Sequence, residues 1–237
     1  MSLPGLLDWL MTPISGAADH QIPPWAYWHA RWMVIGWGVV LPLGALVARY
    51  FKITPGQRWP QELDNKLWWY SHRTLQWAGV GAMTVGVWLA WGQGQRASTA
   101  AAAHAWAGWA LVALGWLQIA VGTARGSKGG PTDHELRGDH YDMSPHRLRF
   151  ERIHKGLGWL TVLSAMAVIA FGLLVADAPR WMPLVLLAWW SALALLALRW
   201  QGQGRCIDTY QAIWGPDPVH PGNRQRPTGW GVRRPLD

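Results

Sequence analysis

Apolar runs alternate with short polar connections along the chain, and five of them, at about 27–49, 68–91, 102–124, 153–175 and 181–199, carry roughly 20 residues each. That length crosses about 30 Å of hydrocarbon as a helix, and all five read better as spans than as soluble core helices. The second run is the least clean. The pattern predicts an all-α integral membrane protein with five transmembrane helices: a four-helix bundle over 27–175 and a fifth helix over 176–199. Residues 1–26 lack the basic stretch followed by an apolar stretch of a secretory signal. Their Leu3, Leu6, Leu7, Leu10 and Met11 share one helical face, which predicts a short amphipathic, interfacial helix. Pro13, Pro23 and Pro24 then break the chain. Residues 200–237, rich in Pro, Gly and Arg, lack apolar periodicity and predict an extended tail over the cytoplasmic face.

Composition agrees with a bilayer. Charged residues make up 14% of the chain, against about 25% in soluble domains. The 21 tryptophans suit interfacial belts, where an amphipathic ring sits at headgroup level. A net charge of +8 does not point to nucleic acid, because the basic residues lie between the apolar runs rather than along one stripe. The positive connections are those holding Lys52, Arg58 and Lys66, then Lys128, Arg137, Arg147, Arg149 and Arg152, then the tail with Arg205, Arg224, Arg226, Arg233 and Arg234. By the positive-inside rule the N-terminus lies outside and the C-terminus in the cytoplasm. The single cysteine, Cys206, excludes an intramolecular disulfide framework and an iron–sulfur site built from this chain alone.

Of nine histidines, four fall within the first four runs: His29, His72, His104 and His154. Each stands within about two turns of the start of its predicted helix. Because successive helices run in opposite directions, His29 and His104 fall near the outer face, and His72 and His154 near the cytoplasmic face. Each pair offers two axial imidazoles to a haem iron held edge-on between helices. Gly36 and Gly79 lie seven residues after His29 and His72, and Gly108 and Gly158 lie four after His104 and His154. Those offsets return to the histidine's own helix face, where a glycine lets a flat macrocycle approach. On the residues alone another reading stays open: histidines that bind metal ions or hydrogen-bond between helices in a transporter or scaffold.

HARWMVIGWGVVLPLGALVARYF (29–51), WYSHRTLQWAGV (69–80), HAWAGWALVALGWLQIAVG (104–122) and IHKGLGWL (153–160) together resemble the four-helix core of the cytochrome b561 family, including its DOMON-linked relatives. The resemblance covers about 27–175. It implies two haem b groups, one between His29 and His104 and one between His72 and His154, with the four histidines as iron ligands. It implies electron transport across a membrane, placed in a bacterial inner membrane, with a quinol or a redox partner protein as donor on one face and an acceptor on the other.

Ligand layers set inward from opposite ends of a span lie on the order of 20 Å apart at a rise of about 1.5 Å per residue. Arg73 and Arg152 flank the cytoplasmic-side histidines, and Arg49 and Arg125 end the first and third runs on that side; all four are candidates for haem propionates. Arg31 and Arg96 are the candidates on the outer side. The connection 126–152 carries His134, His140 and His146 among Asp133, Glu135, Asp139 and Asp142, a spacing that fits no firm metal motif and suits partner docking better. Two organisations follow, a self-contained transmembrane reductase or the haem-bearing anchor subunit of a larger oxidoreductase.

Overall fold

The structure, a computed structural model, describes residues 2–18, 20–93, 98–126, 130–131 and 138–235. It is helical: α1 (Leu3–Met11), α2 (Pro24–Met33), a π-helical stretch (Val34–Val40), α3 (Leu41–Tyr50), α4 (Leu67–Ala90), α5 (Thr99–Thr123), α6 (Asp139–Asp142), α7 (Pro145–Val175), α8 (Trp181–Gly202), α9 (Thr209–Trp214) and a 3-10 turn (Pro221–Arg224). Among the described residues there is no β-strand, only the isolated bridges of Pro13 with Pro179 and Ile207 with Arg233. Proline opens several of these helices, at Pro24 and Pro145 for example, where its missing N–H leaves no bond unmade.

Among the described residues, four helices are long and apolar enough to cross a membrane: Pro24–Tyr50, Thr99–Thr123, Pro145–Val175 and Trp181–Gly202. The expected count of five therefore stands at four by length and composition. The helix left out is α4, 24 residues long, whose first half carries Tyr70, Ser71, His72, Arg73 and Gln76 and is correspondingly less apolar. Large apolar side chains face outward along the helices, including Trp88 (73% exposed), Trp106 (64%) and Leu195 (67%). Water does not tolerate such a surface at this extent, whereas hydrocarbon does. The protein is an integral membrane protein.

The chain divides into two compact units, each assembled from three stretches. One holds the residues up to Pro42, Ala78–Gly115 and Thr161–Leu195. Within it, Gly36 and Gly79 meet where two helices touch: a Cβ on Gly36 would stand 2.8 Å from the Gly79 carbonyl, and one on Gly79 would stand 2.5 Å from Leu41. Small residues let helix backbones approach in lipid, where no hydrophobic drive brings them together. The π-helical stretch widens the turn around Gly36 and Gly38. The Gly38 carbonyl accepts two indole N–H bonds, from Trp189 at 3.0 Å and Trp190 at 3.1 Å, which tie α8 to this helix. The segment after α1 docks on the turn between α7 and α8. Ile14 N–H donates to the Ala178 carbonyl at 3.1 Å, Ser15 N–H to the Asp177 carboxylate at 2.7 Å, and Arg180 N–H to the Thr12 carbonyl at 3.1 Å. The Ser15 hydroxyl, followed by the Ser15 N–H, holds Asp177 below the ordinary carboxylate range.

The other unit holds Leu43–Trp77, Trp116–Leu160 and the residues from Leu196 onward. Here the tail corrects the expectation of an extended segment: it folds, with α9 burying Tyr210, Ala212 and Trp214. Met143, Tyr210 and Trp214 form a small core, covered by Tyr141, Leu148 and Ile213. Apolar anchors within one short helix supply what a periodic pattern would otherwise signal. The tail is also pinned by polar bonds. Arg49 donates to the Trp230 carbonyl at 2.7 Å and to Gln201 at 3.0 Å, Lys155 donates to the Thr228 carbonyl at 2.9 Å, and Arg234 pairs with Asp208 at 3.1 Å. Lys52, buried, donates to the Ile207 carbonyl at 3.1 Å, and burial lowers its ammonium to about 8.

His140 is part of this core. Trp214 donates its indole N–H to His140 Nδ1 at 3.3 Å, which requires the neutral ring. Burial, followed by the Arg147 guanidinium, pushes His140 down to about 3 from 6.5. Below pH 6.5 the unfolded chain takes a proton that the folded one refuses until about 3, so this contribution to stability is full above 6.5 and falls as the pH drops through that window. Amides of α9 are therefore expected to exchange hydrogen faster, after correction for intrinsic rates, at about pH 5 than at about pH 7.5. His140→Asn should flatten that dependence, and a wild-type slope retained in the variant would refute it.

Candidate functional site

Each unit brings together one of the two histidine pairs expected from the sequence. In the first, the His29 and His104 ring centres lie 6.3 Å apart with planes 87° to each other. In the second, His72 and His154 repeat the arrangement at 6.3 Å and 89°. With a first-row metal–imidazole bond of about 2.0–2.1 Å and about 1.2 Å from ring nitrogen to ring centre, two imidazoles on opposite sides of one ion stand about 6.5 Å apart. Both pairs lie close to that separation, and perpendicular planes are compatible with it, since each ring need only contain the common axis.

Hydrogen bonds select which nitrogen remains available. His29 Nδ1 lies 2.9 Å from the Gly86 carbonyl, and His72 Nδ1 lies 3.0 Å from the Gly44 carbonyl. A carbonyl only accepts, so Nδ1 carries the hydrogen in both and Nε2 keeps its lone pair for a ligand. Opposite them, the His104 ring adjoins Phe171 at 6.1 Å, and its buried Nδ1 has no hydrogen-bond partner among the described residues. His154 stacks on Phe150 at 5.3 Å, and its Nδ1 is buried without a hydrogen-bond partner among the described residues. Burying such a nitrogen without a partner is costly. The described residues contain no group of three or more His, Cys, Asp or Glu fit to hold a metal ion. A pair of opposed imidazoles is too few ligands for a closed tetrahedral zinc site and the right number for the two axial positions of haem iron. The residues present fit that group.

The four glycines expected beside the histidines divide in two. At Gly108 nothing lies within 4 Å of the place a Cβ would take, and at Gly158 only Gln118 Oε1 does, at 3.9 Å. Those two positions are open. Gly36 and Gly79 are instead filled by the opposing helix, because offset seven carries them a full two turns away from the histidine. The glycines that do adjoin the histidines are others: Gly86, Gly44, Gly122 and Gly172. They stand on neighbouring helices, so offsets counted along the histidine's own helix do not find them. An antiparallel pairing of the runs is the signal that would.

The arginines also separate. Arg125 stacks on Trp69, 3.7 Å from the ring centre, with Arg73 at 5.7 Å, and Trp69 in turn adjoins His72 at 6.5 Å. Arg49 is committed to the tail, and Arg152 is exposed. Arg31 lies over Trp28 at 4.8 Å, and Arg96 lies outside the described residues. Of the histidines in the 126–152 connection, His134 also lies outside them. His140 is buried against Tyr210 and Trp214, while His146 Nε2 meets the Ala124 carbonyl at 3.2 Å.

Two imidazole pairs, each 6.3 Å apart, stand in the helices of an integral membrane protein and suit a planar metal cofactor. The chain is similar to a cytochrome b561 and DOMON domain-containing protein of Arabidopsis thaliana, 31% identical over 114 residues. The match covers 46% of this chain and 21% of that protein, and it supports a relationship to the cytochrome b561 family. No family model and no solved structure matches the chain.

Proposed function

We propose that the chain is a transmembrane electron-transfer cytochrome carrying two haem b groups, one held by His29 and His104 and the other by His72 and His154. The observation that carries this reading is the repeated 6.3 Å separation of two near-perpendicular imidazoles, each pair with one ring tied through Nδ1 to a backbone carbonyl. Similarity to a cytochrome b561 protein supports it independently. A haem held between two imidazoles would supply one-electron exchange rather than oxygen or substrate binding.

The protein's own residues supply orientation and charge. The Gly86 and Gly44 carbonyls hold His29 and His72 in the Nε2-ligating tautomer. Arg125 and Arg73, gathered on Trp69 beside His72, are placed to pair with carboxylates at the second site, and Arg31 is the candidate at the first. Gly108 and Gly158 leave room at the helix surface. With α4 as a fifth span, the charge distribution supports an N-terminus outside and a C-terminus in the cytoplasm, and the resemblance to the b561 family supports a bacterial inner membrane. A quinol or a redox protein is the donor on one face, with the acceptor on the other.

The test is the dithionite-reduced minus oxidised spectrum of the purified chain. A b-type alpha band with about two haems per chain is expected for two bis-imidazole sites. A ratio near zero in a folded sample returns the histidines to a metal-binding or purely structural role.

A further inference from the structure

Resting on this haem reading, we infer that Gly172 is a positioning residue for His104, a part that no own-helix offset from the histidine discloses. A Cβ built on Gly172 would lie 2.6 Å from His104 Cε1, 3.2 Å from Nδ1 and 3.3 Å from Nε2. All three nearest atoms belong to one imidazole, so the ring lies directly on the α7 backbone. Any side chain at 172 would lift the ring off that backbone. The glycine thus fixes how far His104 reaches towards His29, whose own ring is fixed by the Gly86 carbonyl.

The second pair provides the contrast. A Cβ on Gly122 would stand 3.7 Å from His154 Cε1, an ordinary van der Waals distance. His154 therefore does not press on its glycine as His104 does. The two sites differ in a way that a single methyl group reveals. At position 172 it displaces a ligand, and at position 122 it fits.

The experiment uses the full haem-loaded chain and the variants Gly172→Ala and Gly122→Ala, with low-spin electron paramagnetic resonance signals and midpoint potentials as readouts. His104→Ala and His72→Ala assign each signal to its site. Gly172→Ala is expected to shift or abolish the signal of the His29–His104 site alone, and Gly122→Ala to leave both unchanged. Unchanged signals in Gly172→Ala, or equal changes at both sites, overturn the inference. Should Gly172→Ala fail to fold, the double variant with His104→Ala decides, since removing the ring removes the clash. Recovery to the yield and melting temperature of His104→Ala supports the assignment, and no recovery refutes it. Absence of bis-imidazole haem in the unsubstituted chain would instead be a failure of the haem reading, and the double variant still measures the contact without haem.

Discussion

Replacing His104 with Ala is expected to lower the haem content from about two per chain to about one, because iron at the first site would keep only the His29 imidazole. The remaining haem should belong to the second site, since His72 and His154 lie 6.3 Å apart within their own unit and take their hydrogen bond and ring contacts from Gly44, Trp69 and Phe150. The fold should survive. His104 is only partly buried, and shortening it gives up its contacts with Gly172 and Phe171 without introducing a clash. Haem quantified against protein in detergent, together with far-ultraviolet circular dichroism, checks both halves. Loss of both haems from a chain that keeps its helices would show that the pairing of His29 with His104 is wrong.

The second large effect is expected at Glu151. Its buried carboxylate takes Lys155 at 2.6 Å and Arg147 at 3.2 Å, and His140 Nε2 lies 4.0 Å away. Removing one member of a buried ionic group leaves the other charges without compensation and costs about 3–5 kcal/mol. Glu151→Ala strands two cations, although the Lys155 side chain retains partial contact with solvent and moderates the loss. Lys155 is also the donor to the Thr228 carbonyl, so the tail should loosen with it. A melting temperature well below that of the unsubstituted chain is expected, with faster proteolysis within the tail. Glu151→Gln, which keeps the shape and one acceptor, should fall between. A melt unchanged in Glu151→Ala would show that solvent or lipid headgroups already screen these charges.

How much of this site is legible in the chain depends on what each feature rests upon. Histidines at the front of four apolar runs are paired by direction alone, because antiparallel helices alternate their starts between two faces; both pairs recur in the structure at 6.3 Å. The same logic does not extend to Gly36 and Gly79. A glycine seven residues along a helix shares the histidine's face but not its height, and at that height the neighbouring helix fills the space. Arg49 ends its helix as expected, yet its partners, Gln201 and the Trp230 carbonyl, come from far along the chain. The tail carries no periodic signal because its order rests on Tyr210, Trp214 and their contacts with Tyr141 and His140, which no local pattern reports.

By itself the sequence determined that the chain is helical and that it belongs in a membrane, and chain direction alone suggested which of its histidines to pair. Hydropathy, run length and chain direction are local or nearly local properties, and these conclusions need nothing more. Tertiary structure alone decided which carbonyl orients His29 and His72, which glycine lies beneath His104, and how the tail folds. Each of those is a contact between residues remote in sequence, fixed only once side chains and backbones are packed at angstrom distances.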